Sequence, residues 1–127
     1  MLSPDRGYSE NASKRVAKFV QRGGTLVIAE DYGGHSNALL SEIGASVRFD
    51  GRPLLDDKNF YRSPWLPIAP NVANSSYTRN IQELTLNYPT VLANVTDART
   101  IVNSSEFSYI DEDGDGIAEV EADLVFT

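Results

Sequence analysis

Thr25-Leu26-Val27-Ile28-Ala29 is a continuous apolar run rich in β-branched side chains, and it follows directly on Gly23-Gly24. An unalternating run of this length predicts a central strand covered on both faces, the usual state of a strand in a parallel sheet. The segment before it, Ser9 to Arg22, predicts a helix. Ser9 can act as N-cap, Glu10 suits the first turn, and Val16, Phe19 and Val20 line one face while Lys14, Arg15, Lys18 and Arg22 cover the other. Glycine at 23 and 24 supplies the positive φ that ends such a helix. After the strand, Asn37 to Ile43 predicts a second helix with Leu39, Leu40 and Ile43 on its apolar stripe and Gly44 at its end. Ser46-Val47-Arg48-Phe49 alternates like a strand. Helix, strand, helix, strand is the order of an α/β layered domain with a mainly parallel sheet.

Beyond Asp50 the pattern changes. Pro53, Pro64, Pro67 and Pro70, interleaved with Phe60, Tyr61 and Trp65, predict a long stiffened loop, because proline fixes φ and removes a ladder donor. Leu84 to Asn87, Thr90 to Ala93, Thr100 to Val102 and Glu106 to Ile110 read as short strands. Glu119 to Phe126 alternates cleanly, with Val120, Ala122, Leu124 and Phe126 on one face and Glu119, Glu121 and Asp123 on the other, which predicts a strand with one wet face. The two ends, Met1-Leu2-Ser3-Pro4 and Leu124-Val125-Phe126-Thr127, both read as strands cut short. The expectation is a single domain over 1–127, part of a longer chain.

The 127 residues carry 18 acidic and 11 basic side chains, for a net charge of −7. That charge is local: residues 105–127 hold 8 acidic and no basic side chains, while the body is nearly neutral. The absence of a basic patch argues against a nucleic-acid partner. No apolar run approaches the roughly 20 residues of a membrane-spanning helix, so a membrane would be met only through parts outside this chain. With no cysteine there is no disulfide framework, thiolate nucleophile or cysteine metal site.

The acidic tail contains the most specific motif, Asp111-Glu112-Asp113-Gly114-Asp115-Gly116-Ile117-Ala118-Glu119. Carboxylates at positions 1, 3 and 5 and glycine at 6 match the first half of a calcium loop, with the Ile117 carbonyl at position 7 and Glu119 at position 9. Position 12 is Ala122, so the closing bidentate glutamate is missing. The same stretch also reads as a plain Asp-Gly hairpin turn, and the two readings are compatible. The candidate metal residues are Asp111, Asp113, Asp115, Ile117 and Glu119, with Ca2+ as the cofactor.

A second group follows from topology. In open α/β sheets ligands bind beyond the carboxyl ends of the strands, which would gather Asp5, Arg6, Glu30, Asp31 and Asn37, with Tyr61 and Arg62 from the proline-aromatic loop as further recognition residues. Gly33-Gly34 lacks both the dinucleotide fingerprint and the phosphate-loop lysine, so no nucleotide cofactor is expected. An enzyme alternative, hydrolase-like, would use Asp5, Arg6, Asp31 and His35, the single histidine. Four asparagines, Asn11, Asn74, Asn94 and Asn103, stand in glycosylation sequons where chance predicts about one. Sequons and a calcium loop together point outside the cytoplasm.

Taken together, Leu2-Ser3-Pro4-Asp5-Arg6, the run from Phe19-Val20 to Glu30-Asp31, Asn37-Ala38-Leu39-Leu40, Arg48 to Arg52, Tyr61-Arg62-Ser63-Pro64, Leu84 to Pro89 and Phe107 to Asp111 resemble an archaeal domain of unknown function, family 4350. That family's fold is similar to the class I glutamine amidotransferases. The resemblance implies a flavodoxin-like three-layer domain, here with a C-terminal β-hairpin region, and a longer protein exported or anchored at the archaeal surface. It implies no glutaminase activity, because the elbow where those enzymes carry a nucleophilic cysteine corresponds to Glu30 to Gly34, which has none. The expected role is a non-catalytic module binding a protein or small-molecule ligand. Cut strand edges would let two copies pair as a homodimer.

Overall fold

The computed structural model describes residues 4 and 6–121. Asp5 and the part of the last predicted strand beyond Glu121 lie outside the described residues. In chain order the elements are α1 (Glu10–Gln21), α2 (Asn37–Ile43), β1 (Arg48–Phe49), β2 (Leu54–Asp56), β3 (Ile68–Ala69), β4 (Asn71–Val72), β5 (Leu84–Thr85), β6 (Leu92–Ala93), β7 (Val102–Asn103), β8 (Ser108–Ile110) and β9 (Val120–Glu121).

The two helices form where local chemistry dictates. Ser9 is extended and its hydroxyl accepts the Ala12 N–H at 3.3 Å, which satisfies one of the orphan donors of the first turn of α1. Gly44 closes α2 in the left-handed region at φ 87°. The packed face of α1 differs from the apolar stripe: small Ser13 and Ala17 are buried and α1 packs against α2, while Phe19 stays 53% exposed, its ring over Gly24. Small residues let the two helices approach closely. Leu39 and Leu40 supply the buried side of α2.

The parallel, flavodoxin-like three-layer expectation is incorrect. Every strand pairing among the described residues is antiparallel, and the strands form small separate sheets: β1 with β6, β3 with β5, β4 with β7, and a three-stranded sheet in the order β2-β8-β9. The decisive run Thr25–Ala29 belongs to none of these sheets, although Ala29 itself stands in an isolated bridge. It is non-helical and its burial alternates, with Leu26 and Ile28 half-buried, Thr25 and Ala29 exposed, and Val27 71% exposed. A strand covered on both faces would bury that valine and gain about 1.5 kcal/mol. The run therefore has one wet face, and the parallel sheet built around it disappears.

The segment from Asp50 to Pro70 is likewise more than a loop, because β2 within it is buried at all three positions. The proline rule survives, since Pro53 precedes the strand and β2 lies at an edge of its sheet. Leu54, Val91 and Ile110 form the core cluster, and the Leu54 N–H donates to the Pro89 carbonyl at 2.9 Å. Trp65 packs on Tyr88 at 5.5 Å between ring centroids, while Phe60 and Tyr61 stay exposed. This arrangement holds the end of β8, and the acidic loop after it, on a buried base.

Candidate metal centre

The loop starts from Asp111, the residue after β8, which is wholly buried. Its N–H donates to the Pro53 carbonyl at 3.2 Å, tying the base of the loop to β2. Its carboxylate accepts on both oxygens, from the Gly114 N–H at 2.7 Å and the Gly116 N–H at 3.1 Å. Those glycines sit at φ 80° and 82°, a region a side chain disfavours, and their two left-handed turns fold the chain back over the carboxylate. Asp113 accepts the Asp115 N–H at 3.1 Å, and Asp115 accepts the Ile117 N–H at 2.7 Å. Glu119 returns to the start: its carboxylate accepts the Glu112 N–H at 2.5 Å, and its own N–H donates to the Ile110 carbonyl at 3.1 Å. β8 and β9 then pair antiparallel, Ile110 opposite Val120.

As a result one oxygen from each of Asp111, Asp113, Asp115 and Glu119 lies within 4.8 Å of all the others. Four like charges at that spacing repel by about 1 kcal/mol per pair even in bulk water, more near a low-dielectric base. None of the ion pairs among the described residues involves any of the four. The guanidinium of Arg52 is held by Asp50 at 2.6 and 2.9 Å and reaches the loop at Glu112, at 3.5 Å. Arg52 keeps the Asp50 carboxyl below the ordinary carboxylate range through that hydrogen bond.

Behind the loop, Tyr109 in β8 is buried, and its hydroxyl is pushed up to about 12, first by burial and then by its hydrogen bond to Asp57 and the charges of Asp57, Asp111 and Asp56. Of the five predicted metal residues the structure brings four carboxylates together. Ile117 contributes its N–H to Asp115, and its side chain is 66% exposed. Ala122, at the twelfth position, lies outside the described residues.

The group predicted at the sheet's carboxyl edge is largely engaged in holding the fold. Both Glu30 oxygens accept the Ser36 N–H, at 2.9 and 3.2 Å, just before α2. The Asn37 amide spans to β1, donating to the Phe49 carbonyl and accepting the Phe49 N–H, both at 2.8 Å. Asp31 pairs with Pro89 in an isolated bridge, the His35 ring packs over Gly33, and Arg6 is exposed. Arg62, at φ 67°, lays its guanidinium over the Tyr61 ring at 4.9 Å.

One polar centre was missed by reading the sequence. Asp56, the last residue of β2, is wholly buried, and four donors surround its carboxylate: the N–H groups of Lys58 at 2.8 Å and Asn59 at 2.6 Å, the Ser108 hydroxyl at 2.9 Å and the Ser105 hydroxyl. An aspartate whose oxygen meets the N–H groups two and three residues on is an Asx turn, and Asp56-Asp57-Lys58-Asn59 carries that local signal. The serines, about fifty positions away, leave none.

Fold and site together define a domain of small antiparallel sheets and two short helices that presents an acidic hairpin loop. The chain belongs to the family described as a domain of unknown function (DUF4350), which matches residues 1–125. Among solved structures three chains match. One of them, described as "mmIFT52 N-terminal domain", is similar with a TM-score of 0.71 at 15% identity, over 86% of this chain and 56% of that one. The chain thus spans little more than half of that relative, and at such identity the likeness concerns the fold alone. No curated protein matches. The amidotransferase-like architecture implied by the family resemblance gives way to the antiparallel arrangement described above.

Proposed function

We propose that this protein is a non-catalytic binding module of an extracytoplasmic protein, stabilised by one calcium ion held by Asp111, Asp113, Asp115 and Glu119. The observation that carries the calcium reading is the convergence of four carboxylates within 4.8 Å, with no ion-pair partner among the described residues. A cation of high charge and flexible coordination relieves that repulsion, and oxygen-only ligands favour calcium over softer metals. The ion would rivet the β8–β9 hairpin to β2 through Asp111, which makes its role structural. Exposure of the sequon asparagines Asn11 and Asn94 supports the extracytoplasmic reading, as does external calcium, which reaches the affinity range of about 10⁻⁴ to 10⁻³ M that such modules show.

Isothermal titration calorimetry tests this. One calcium per chain is expected, abolished in the Asp113→Asn/Asp115→Asn double variant and indifferent to magnesium at the same concentration. Heat-free titration of the intact chain at millimolar calcium would overturn the metal site.

A further inference from the structure

Between β4 and β5 the chain forms a loop that is fixed by its own side chains. Thr78 is buried, and its hydroxyl donates to the Ala73 carbonyl at 2.6 Å while accepting the Ser75 N–H at 3.0 Å. The Ser75 hydroxyl lies 2.7 Å from that of Thr78 and accepts the Tyr77 N–H at 3.2 Å, and the Ile81 N–H closes the loop on the Thr78 carbonyl at 3.0 Å. Beside this framework lies an open cavity of about 580 Å³. That volume is in the range of small-molecule sites.

The lining divides by chemistry. Val72 and the 39%-exposed Ile81 give it an apolar side, and Asn74, Ser76, Arg79 and Asn80 give it a polar one. Among the described residues the side chains of these four make no hydrogen bond or ion pair, although the backbone that carries them is pinned. Asn80 is held at φ 65°, a conformation asparagine tolerates better than most residues and one that recurs at binding sites. Among the described residues no carboxylate lines the cavity. In a chain of net charge −7, a guanidinium left without an acid beside a cavity offers its N–H donors to an anion.

We propose that this cleft binds a small sugar carrying an oxyanion. Arg79 takes the oxyanion with its planar fork, the amides of Asn74 and Asn80 and the hydroxyl of Ser76 meet sugar hydroxyls, and Val72 and Ile81 cover the apolar face of the ring. Preorganisation by Thr78 and Ser75 limits the ordering cost of binding. The site is independent of the calcium loop, so either assignment can fail without the other.

The test uses the full chain from a bacterial host, so that no glycan occupies Asn74. Backbone amide shifts are followed while glucose 6-phosphate, glucuronate, glucose and inorganic phosphate are titrated separately. Saturable shifts within residues 72–81 are expected with glucose 6-phosphate or glucuronate, and their ratio says whether phosphate or carboxylate is preferred. Glucose and phosphate alone should bind about tenfold more weakly or worse. Arg79→Gln should weaken the better ligand by about tenfold or more while leaving the melting temperature unchanged. No saturable shift with either charged sugar, equal binding of inorganic phosphate, or undiminished binding by Arg79→Gln would each overturn the proposal.

Discussion

Asp56 and Asp111 are both wholly buried aspartates at the ends of neighbouring antiparallel strands, yet their surroundings are opposite. Asp56 is surrounded by donors, two backbone N–H groups and two serine hydroxyls, and that single charge is satisfied by the protein itself. Asp111 also accepts two N–H groups, but three further, exposed carboxylates crowd around its own. A carboxylate that only held the fold would need no acidic neighbours. The contrast separates a carboxylate satisfied by donors from a loop of crowded carboxylates, and on the calcium proposal only the second should respond to the ion.

The largest expected effect lies on the structural side. Asp56→Asn replaces an acceptor by a group that is half donor, facing four donors, and should destabilise the protein by about 3 kcal/mol or more in urea denaturation, with the calcium response intact in whatever remains folded. Calcium should come next: at a free concentration one hundred times the dissociation constant it adds about 2.7 kcal/mol, visible as a rise in melting temperature that chelation reverses.

Tyr109 links the two regions, since Asp56, Asp57 and Asp111 all bear on its hydroxyl. Its pKa in the fold is about 12 against an ordinary 10, so the unfolded chain ionises first. The contribution is complete below pH 10 and is lost as pH rises towards 12, a fall of about 2 kcal/mol across that window. Melting temperature against pH should show it, and Tyr109→Phe should remove that part of the alkaline slope. The smallest effect belongs to neither carboxylate. Ser9→Ala should cost about 1 kcal/mol through the lost cap of α1, with calcium affinity unchanged by calorimetry.

What was legible in the sequence was local. Ser9 capping a helix, Gly44 ending another and alternate carboxylates around Gly114 and Gly116 are patterns within a few residues, where the chain's own geometry decides the outcome. Thr25–Ala29 misled because an apolar run records how much burial its side chains favour and says nothing of which strand, if any, pairs with it. β2 hid among prolines because its partner β8 begins more than fifty residues later. The donors of Asp56 were hidden for the same reason, as Ser105 and Ser108 meet it only once that pairing forms. The edge cluster around Glu30 and Asn37 had the composition of a ligand site, but its side chains tie backbone segments together.

On the calcium proposal the acidic loop is destabilising alone and stabilising when it holds the ion. The most direct test is urea denaturation of the natural chain and of Asp113→Asn/Asp115→Asn, each in chelator and in millimolar calcium. Asparagine keeps the two turn-forming oxygen acceptors and removes two charges, and with them five of the six pairwise repulsions, so in chelator the variant should be the more stable protein by about 2 kcal/mol once salt screening of this largely exposed loop is counted. In calcium the order should reverse, with the natural chain ahead. If the variant is no more stable in chelator and calcium moves neither curve, the loop is a hairpin turn only and the calcium site is wrong.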